Sequence, residues 1–311
     1  MSRLVAVTGA SGFIGGCLVR RLLASGWRVR ALSRSPSSPA APGATLQWVR
    51  GSLEDRASLR RLVAGAAAVI HCAGAVRGLD AADFEPVNVQ GVARLVEAAL
   101  DCPAPPRLLA LSSLAAREPA LSPYAASKRH GEEVLAAANA CLQWTALRPP
   151  AVYGPGDREL LPLFRLMAKG VAPILGPRTA RFSLLYVEDL AGAALRWLGL
   201  EDCPRGVYEL HDGRAGGYSW DEVVDIVATL RNRPVVRVPV PGWLLRAMAL
   251  LSTAAARIGR YPPMLTLGKV HELRHPDWVC DDSPWRAVSG WTPTVAFPEG
   301  IRMTLAAAAT D

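Results

Sequence analysis

Residues 4–7 are four consecutive apolar residues ended by Thr8 and Gly9, the pattern of a short strand buried on both faces. Similar runs at 28–32, 46–49, 68–71, 108–111 and 144–147 predict five more strands. Between them, apolar positions recur at helical spacing over 12–25, 57–64, 83–100 and 122–140. Strand alternating with helix predicts an α/β fold with a doubly wound parallel sheet. Residues 35–43, rich in Pro, Ser and Ala, read as a loop. Past Arg148 the alternation loosens and Pro and Gly become frequent. Here 182–187 reads as a strand and 187–198 as a helix. The expected division is a dinucleotide-binding core, 1–150 with a return segment 183–200, and an interleaved α+β lobe for substrate, 151–182 and 201–311.

The glycines in Thr8-Gly9-Ala10-Ser11-Gly12-Phe13-Ile14-Gly15 stand between the first strand and the first helix. Gly9 permits a tight turn, Gly12 lets backbone approach a pyrophosphate, and Gly15 lets the helix lie close to the sheet. The helix N-terminus offers free N–H groups and a favourable dipole to the phosphates. Further along, Tyr124 and Lys128 are four apart on a predicted helix, so both lie on one face. A cation beside a phenol favours the phenolate, which suits proton transfer to and from a carbonyl or alcohol. Standing alone, the pair also fits a solvated helix face. Ser112 and Ser113 lie at a strand end just upstream.

Composition narrows the picture. Half of the 311 residues are hydrophobic, as in a folded globular protein. The net charge of +8 comes almost wholly from arginine, since Lys128, Lys169 and Lys269 are the only lysines. The arginines form no run of the kind that binds nucleic acid, although a basic surface favours anionic cofactors or lipids. Six cysteines with no paired spacing, and histidines without metal-ligand spacing, predict reduced thiols in a cytoplasmic protein with no metal site. No apolar run reaches the roughly 18 residues that span a bilayer. The segment 243–258 reads as an apolar helix with two arginines, either a lobe helix covering the substrate cleft or a helix lying weakly on a membrane surface.

Taken in order, these motifs resemble the extended short-chain dehydrogenases/reductases, the NAD-dependent epimerase/dehydratase family. Its signature of TGxxGxxG followed by YxxxK is present. So are His71-Cys72-Ala73-Gly74, Asn88, Ser112-Ser113, Arg148-Pro149, Tyr153-Gly154-Pro155 and Val187-Glu188-Asp189. The resemblance implies that Ser113 polarises the substrate oxygen, with Ser112 as the rival. It implies that Tyr124 is the general acid/base and that Lys128 binds the nicotinamide ribose and lowers the Tyr124 pKa. Gly9, Ser11, Gly12, Phe13, Ile14, Gly15, Ser52, Leu53, Cys72, Ala73, Gly74, Asn88, Leu111, Pro149, Ala151 and Val152 fall at cofactor-lining positions. His71 matches a structural histidine, and homodimers are common in the family.

Departures from the family pattern carry as much information. No acidic residue follows the second strand to accept the ribose hydroxyls of NAD. Ser33 and Arg34 stand there instead, which points to the 2′-phosphate of NADP. Ser52 replaces a common aspartate near the adenine. Ala151 and Phe182 occupy positions where nucleotide-sugar enzymes usually keep an asparagine and an arginine, with Arg181 shifted by one. The pattern lies closer to the 3β-hydroxysteroid dehydrogenase-like branch. The expected activity is NADP(H)-dependent interconversion of a ketone and a secondary alcohol on a largely apolar, sterol-, terpenoid- or lipid-like molecule. Val152, Leu163, Leu166, Phe182, Met248 and Leu251 are expected to wall its cleft or to belong to the core. A nucleotide-sugar epimerase or dehydratase is the alternative, and a non-catalytic dinucleotide-binding scaffold the third reading.

Overall fold

The computed structural model describes residues 3–35, 45–259 and 261–310. Its centre is a seven-stranded, all-parallel sheet. Six strands are β1 (Leu4–Thr8), β2 (Arg28–Ser33), β3 (Leu46–Arg50), β4 (Ala68–His71), β5 (Arg107–Leu111) and β6 (Trp144–Arg148). The seventh, Gly206–Glu209, pairs with the outer side of β6. The division at residue 201 leaves this strand with the lobe, but the chain returns it to the sheet. All residues of β1 and β4 are buried, as expected where helices cover both faces. The strand order reverses at β1 and β4, and the crevice at their carboxyl ends is where such sheets bind ligands.

Helix α1 (Phe13–Ala24) and the helix Val187–Leu198 cover one face. Here Leu18, Leu22, Ala191 and Trp197 meet Val5, Val7 and Ile70 of the sheet. The other face is covered by α2 (Arg56–Val63), α4 (Gln90–Leu100) and α5 (Pro123–Ala136), which bury Leu59, Leu62, Leu95, Val96 and Leu135.

Three predicted elements differ in detail. The helix expected over 83–100 is two helices, α3 (Ala81–Asn88) and α4, broken at Val89. Pro86 lacks an N–H for the helical ladder, and Val89 leaves the ideal helix at φ −115°. The helix over 122–140 ends at Ala136. The strand over 182–187 is two short strands, Arg181–Phe182 and Leu184–Tyr186, in separate sheets. They part at Ser183, whose hydroxyl accepts from Cys280 N (3.0 Å). The expected loop at 35–43 lies outside the described residues beyond Ser35.

The lobe has its own core of Tyr153, Phe164, Tyr218, Trp220 and Phe297, with ring centroids 5.4–5.9 Å apart at Tyr153, Phe164, Tyr218 and Phe297. Edge-to-face and tilted ring packing of this kind adds to the gain from burial. The helix Gly242–Gly259 rests on the helix Leu267–Arg274 through Leu245, Ala249 and Val270. Among the described residues no helix is long and apolar enough to cross a membrane, and none of the six cysteines is in a disulfide.

Candidate active site

The turn after β1 has the conformation its glycines demand. Gly9 sits at φ +67°, and a Cβ there would lie 2.5 Å from Ala73 N. At Gly15 a Cβ would lie 2.1 Å from Gly9 O, so only glycine lets α1 approach the turn this closely. Gly12 is the N-cap of α1 and caps it with no side chain, and no acidic residue stands in the first turn. Ser11 and Gly12 are exposed, while Phe13 and Ile14 are half-buried. These N–H groups and the helix dipole suit an anion, and the cradle fits a dinucleotide pyrophosphate. Opposite, the Thr8 hydroxyl contacts His71 Nδ1 (2.7 Å) and accepts from Ala73 N (3.3 Å), tying β1 to the Cys72-Ala73-Gly74 run. Burial lowers the His71 pKa to about 3, and Lys128 adds to the shift, so this imidazole is neutral. Burial pushes the Cys72 thiol up to about 12, which leaves it an inert lining group.

Asn88 closes α3 and is fully used. Its amide donates to Ala75 O (2.9 Å) and Ser127 Oγ (2.9 Å), and its carbonyl accepts from Ala75 N (2.8 Å). One residue thereby ties the loop after β4 to α5.

Ser122 caps α5, accepting from Ala125 N (3.0 Å), and Pro123 opens its first turn. Tyr124 and Lys128 both sit half-buried on the face toward the crevice. The Tyr124 ring meets Phe84 edge-on at 5.9 Å, and its hydroxyl and Ser113 stand close enough for Ser113 to oppose the rise in the Tyr124 pKa. Lys128 Nζ donates to Leu111 O (3.1 Å) and stands close to Gly74, where a Cβ would lie 3.0 Å from the ammonium. Burial lowers the Lys128 pKa from 10.5 to about 8. Tyr124 departs from the expectation: its pKa is raised by burial, not lowered. The groups opposing that rise are Ser113 and Lys269. Lys128 gives one of its three donors to the Leu111 carbonyl.

The two adjacent serines divide their work. Ser112 donates to Glu132 Oε1 (2.5 Å), and Glu132 also takes two hydrogen bonds from Arg148 (2.8 and 2.6 Å). Ser113 faces Tyr124. Successive residues at a strand end point to opposite sides, which separates a scaffold hydroxyl from one open to the crevice. Pro149 O accepts from Leu114 N (2.9 Å), joining the segment after β6 to the serine turn.

At the far end of the crevice Ser33 is half-buried and Arg34 exposed. Ser33 pairs in register with Arg50 of β3, so a second exposed guanidinium stands beside this corner. Arg50 was not singled out in the sequence; its position beside Ser33 depends on the β2–β3 register. The Ser52 hydroxyl accepts from Glu54 N (3.2 Å), while Leu53 turns into the core against Gly91.

A family model described as the NAD dependent epimerase/dehydratase family matches residues 5–208, from β1 through most of the seventh sheet strand. The chain belongs to that family. Within it, the chain is 39% identical over 304 residues to a ceramide reductase of Caulobacter vibrioides, covering 94% of this chain and 93% of that protein. It is 28% identical to a 2-alkyl-3-oxoalkanoate reductase of Stenotrophomonas maltophilia, over 98% of this chain and 99% of that one. Among solved structures, MoeE5 in complex with UDP-glucuronic acid and NAD shares the fold with a TM-score of 0.74, at 24% identity over 99% of both chains. The family binds a nicotinamide dinucleotide, and the chain is an enzyme of its extended short-chain dehydrogenase/reductase type, acting on alcohol, ketone or sugar groups.

The six apolar residues expected to wall the cleft or to belong to the core fall into two groups, three packed against cores and three exposed. Val152 packs against the main core, Leu163 and Phe182 against the lobe core, and Phe182 lies 5.1 Å from Trp220. Leu166, Met248 and Leu251 are exposed. Ala151 is also exposed, on the short strand Ala151–Tyr153 that pairs with Leu184–Tyr186. Arg181 is already engaged: it donates to Gly216 O (2.6 Å) and Gly217 O (2.9 Å) and pairs with Glu222 (3.3 Å). Asp189 of the Val-Glu-Asp run is a structural anchor, accepting from Thr294 N, Thr294 Oγ1 and Val295 N.

Proposed function

We propose that the protein is an NADP(H)-dependent oxidoreductase interconverting a ketone and a secondary alcohol on a long-chain, ceramide-like lipid. The observation that carries the chemistry is the placement of Tyr124 and Lys128 on one half-buried face of α5, with Lys128 beside Gly74 and Ser113 near the Tyr124 hydroxyl. The nicotinamide, when bound, supplies the hydride for the carbonyl carbon. Tyr124 donates its proton to the carbonyl oxygen, and Ser113 holds that oxygen as charge builds on it. Lys128 binds the ribose hydroxyls. Residues 1–150 with 183–200 hold the cofactor, and the lobe holds the substrate.

The ceramide reductase relative supports the lipid class, because its likeness runs the length of both chains. Ala151 and the engaged Arg181 argue against a sugar-nucleotide site. A diphosphate taken out of water without donors is very costly. Turnover of NADPH with long-chain keto-amide lipids tests the reading. Micromolar binding of UDP or dTDP in calorimetry, with no turnover of lipid ketones, would replace it with the epimerase alternative.

Ser33, Arg34 and Arg50 support NADP over NAD. The 2′-phosphate carries about two negative charges and forms charge-assisted hydrogen bonds with guanidinium groups. Arg34→Ala is expected to weaken NADPH by about tenfold or more and to leave NADH within about twofold. Titration of both cofactors checks this. Equal losses, or a wild-type preference for NADH, would refute the assignment.

The helix Gly242–Gly259 supports a way to reach such lipids. Leu245, Ala249 and Ala256 face the lobe. Trp243, Leu251 and Ile258, which are 70%, 71% and 87% exposed, share the opposite arc. Arg246 and Arg257 flank that arc and are exposed. An outward apolar arc bearing a tryptophan and flanked by arginines matches an anionic bilayer surface. The protein is expected to float with phosphatidylglycerol vesicles, and Trp243→Asp with Leu251→Asp is expected to abolish flotation while bulk turnover of a short soluble ketone persists. Flotation unchanged in that variant would remove the helix from the account.

A further inference from the structure

The lobe helix Leu267–Arg274 lies directly against the start of α5. A Cβ on Gly268 would be 2.8 Å from Ser122 Cβ and 3.3 Å from Pro123 Cδ, so the approach needs a glycine. Thr266 caps this helix, accepting from Lys269 N (3.2 Å). Glu272, buried one turn on, accepts from the Ser122 hydroxyl with one oxygen. Its other oxygen accepts from Lys269 Nζ (3.0 Å). A continuous chain of hydrogen bonds therefore runs from the cap of α5, two residues before Tyr124, to the Lys269 ammonium.

The Lys269 side chain is 45% exposed. An ammonium has three donors, and Glu272 takes one of them. Lys269 and Tyr124 stand within electrostatic reach, for each shifts the other's proton affinity. Glu159 acts on both and is itself engaged by Arg77 (2.6 Å). Only three of the 35 basic residues are lysines; Lys128 shares the α5 face with this tyrosine, and Lys269 stands within electrostatic reach of it. Lys128 comes from the cofactor side and Lys269 from the lobe.

We propose that Lys269, oriented by Glu272, is a substrate-recognition residue that binds a hydrogen-bond-accepting oxygen carried next to the reacting carbonyl. An amide or hydroxyl oxygen one or two atoms from the ketone is the chemical class it fits. The proposal rests on the carbonyl-reductase reading. A ketone flanked by plain alkyl chains gains nothing from this ammonium, whereas one with an adjacent amide gains a charge-assisted hydrogen bond. Glu272 holds the ammonium in place through the same carboxylate that Ser122 grips, so recognition is built into the docking of lobe on core.

The test compares two long-chain ketones, one with a neighbouring amide and one without, in wild type, Lys269→Met and Lys269→Arg. Lys269→Met is expected to raise KM for the amide-bearing ketone by about tenfold or more, with kcat within about threefold. KM for the plain ketone and NADPH affinity are expected to stay within about twofold, and Lys269→Arg to recover part of the loss. Equal losses on both ketones, or a change in NADPH affinity, would overturn the recognition role in favour of a general structural one. Wild-type turnover with Lys269→Met indifferent on both ketones would overturn this inference alone. No wild-type turnover of either ketone would overturn the carbonyl-reductase reading and this inference with it.

Discussion

Tyr124→Phe is expected to bind NADPH as the wild type does and to lose about 10²–10⁴-fold in turnover. The ring keeps its edge-on contact with Phe84, so the packing that seats it in α5 survives. What goes is the hydroxyl, and with it the proton for the carbonyl oxygen. Single-turnover absorbance of NADPH separates this from a binding defect. Near-normal turnover in Tyr124→Phe, on any substrate the wild type uses, would end the catalytic assignment.

The largest loss of stability is expected at Glu132. Its side chain is 6% exposed and that of Arg148 12%, and the two exchange a bidentate pair of hydrogen bonds. Removing one partner of a buried pair leaves the other charge desolvated, a cost of about 3–5 kcal/mol. Arg148 has Glu209 at 4.0 Å as a distant second partner, too far for a hydrogen bond. Ser112 also loses its acceptor. Glu132→Ala is therefore expected to lower the urea midpoint by an amount equivalent to about 3–5 kcal/mol. Adding Arg148→Met is expected to recover part of it, because the desolvated unpaired charge is removed while the cavity left by alanine remains. A change below about 1 kcal/mol in the single variant would show that water reaches the pair.

Much of the core was legible in the residues because its signals are local. The buried strands are short apolar runs, and the Gly9, Gly12 and Gly15 spacing has a steric reason readable without coordinates. Tyr124 and Lys128 share a helix face by spacing alone. Signals that depend on tertiary placement were not readable. Ser112 and Ser113 are chemically identical neighbours, and only the side each faces at the end of β5 distinguishes them. Lys269 and Glu272 lie some 145 residues beyond Tyr124 in the chain, with no motif linking them. The apolar residues past position 150 carry the same hydrophobic signal whether they pack in a core or lie on an exposed face. Phe182 took the first course and Met248 the second.

The strand Gly206–Glu209 has a consequence for how this chain folds. It is the outer neighbour of β6, yet it is made some sixty residues later. During synthesis from the N-terminus, β6 remains an open edge until the chain has passed the small strands of the lobe and the helix Val187–Leu198. The half that holds the seven-stranded sheet is thus not complete when β6 emerges; it waits for a segment that has already visited the other lobe. Pairing at such separation carries a loop-closure cost before it yields any gain. The two lobes consequently share one cooperative assembly step, and the exposed edge of β6 is the point of greatest vulnerability to wrong pairing along the way.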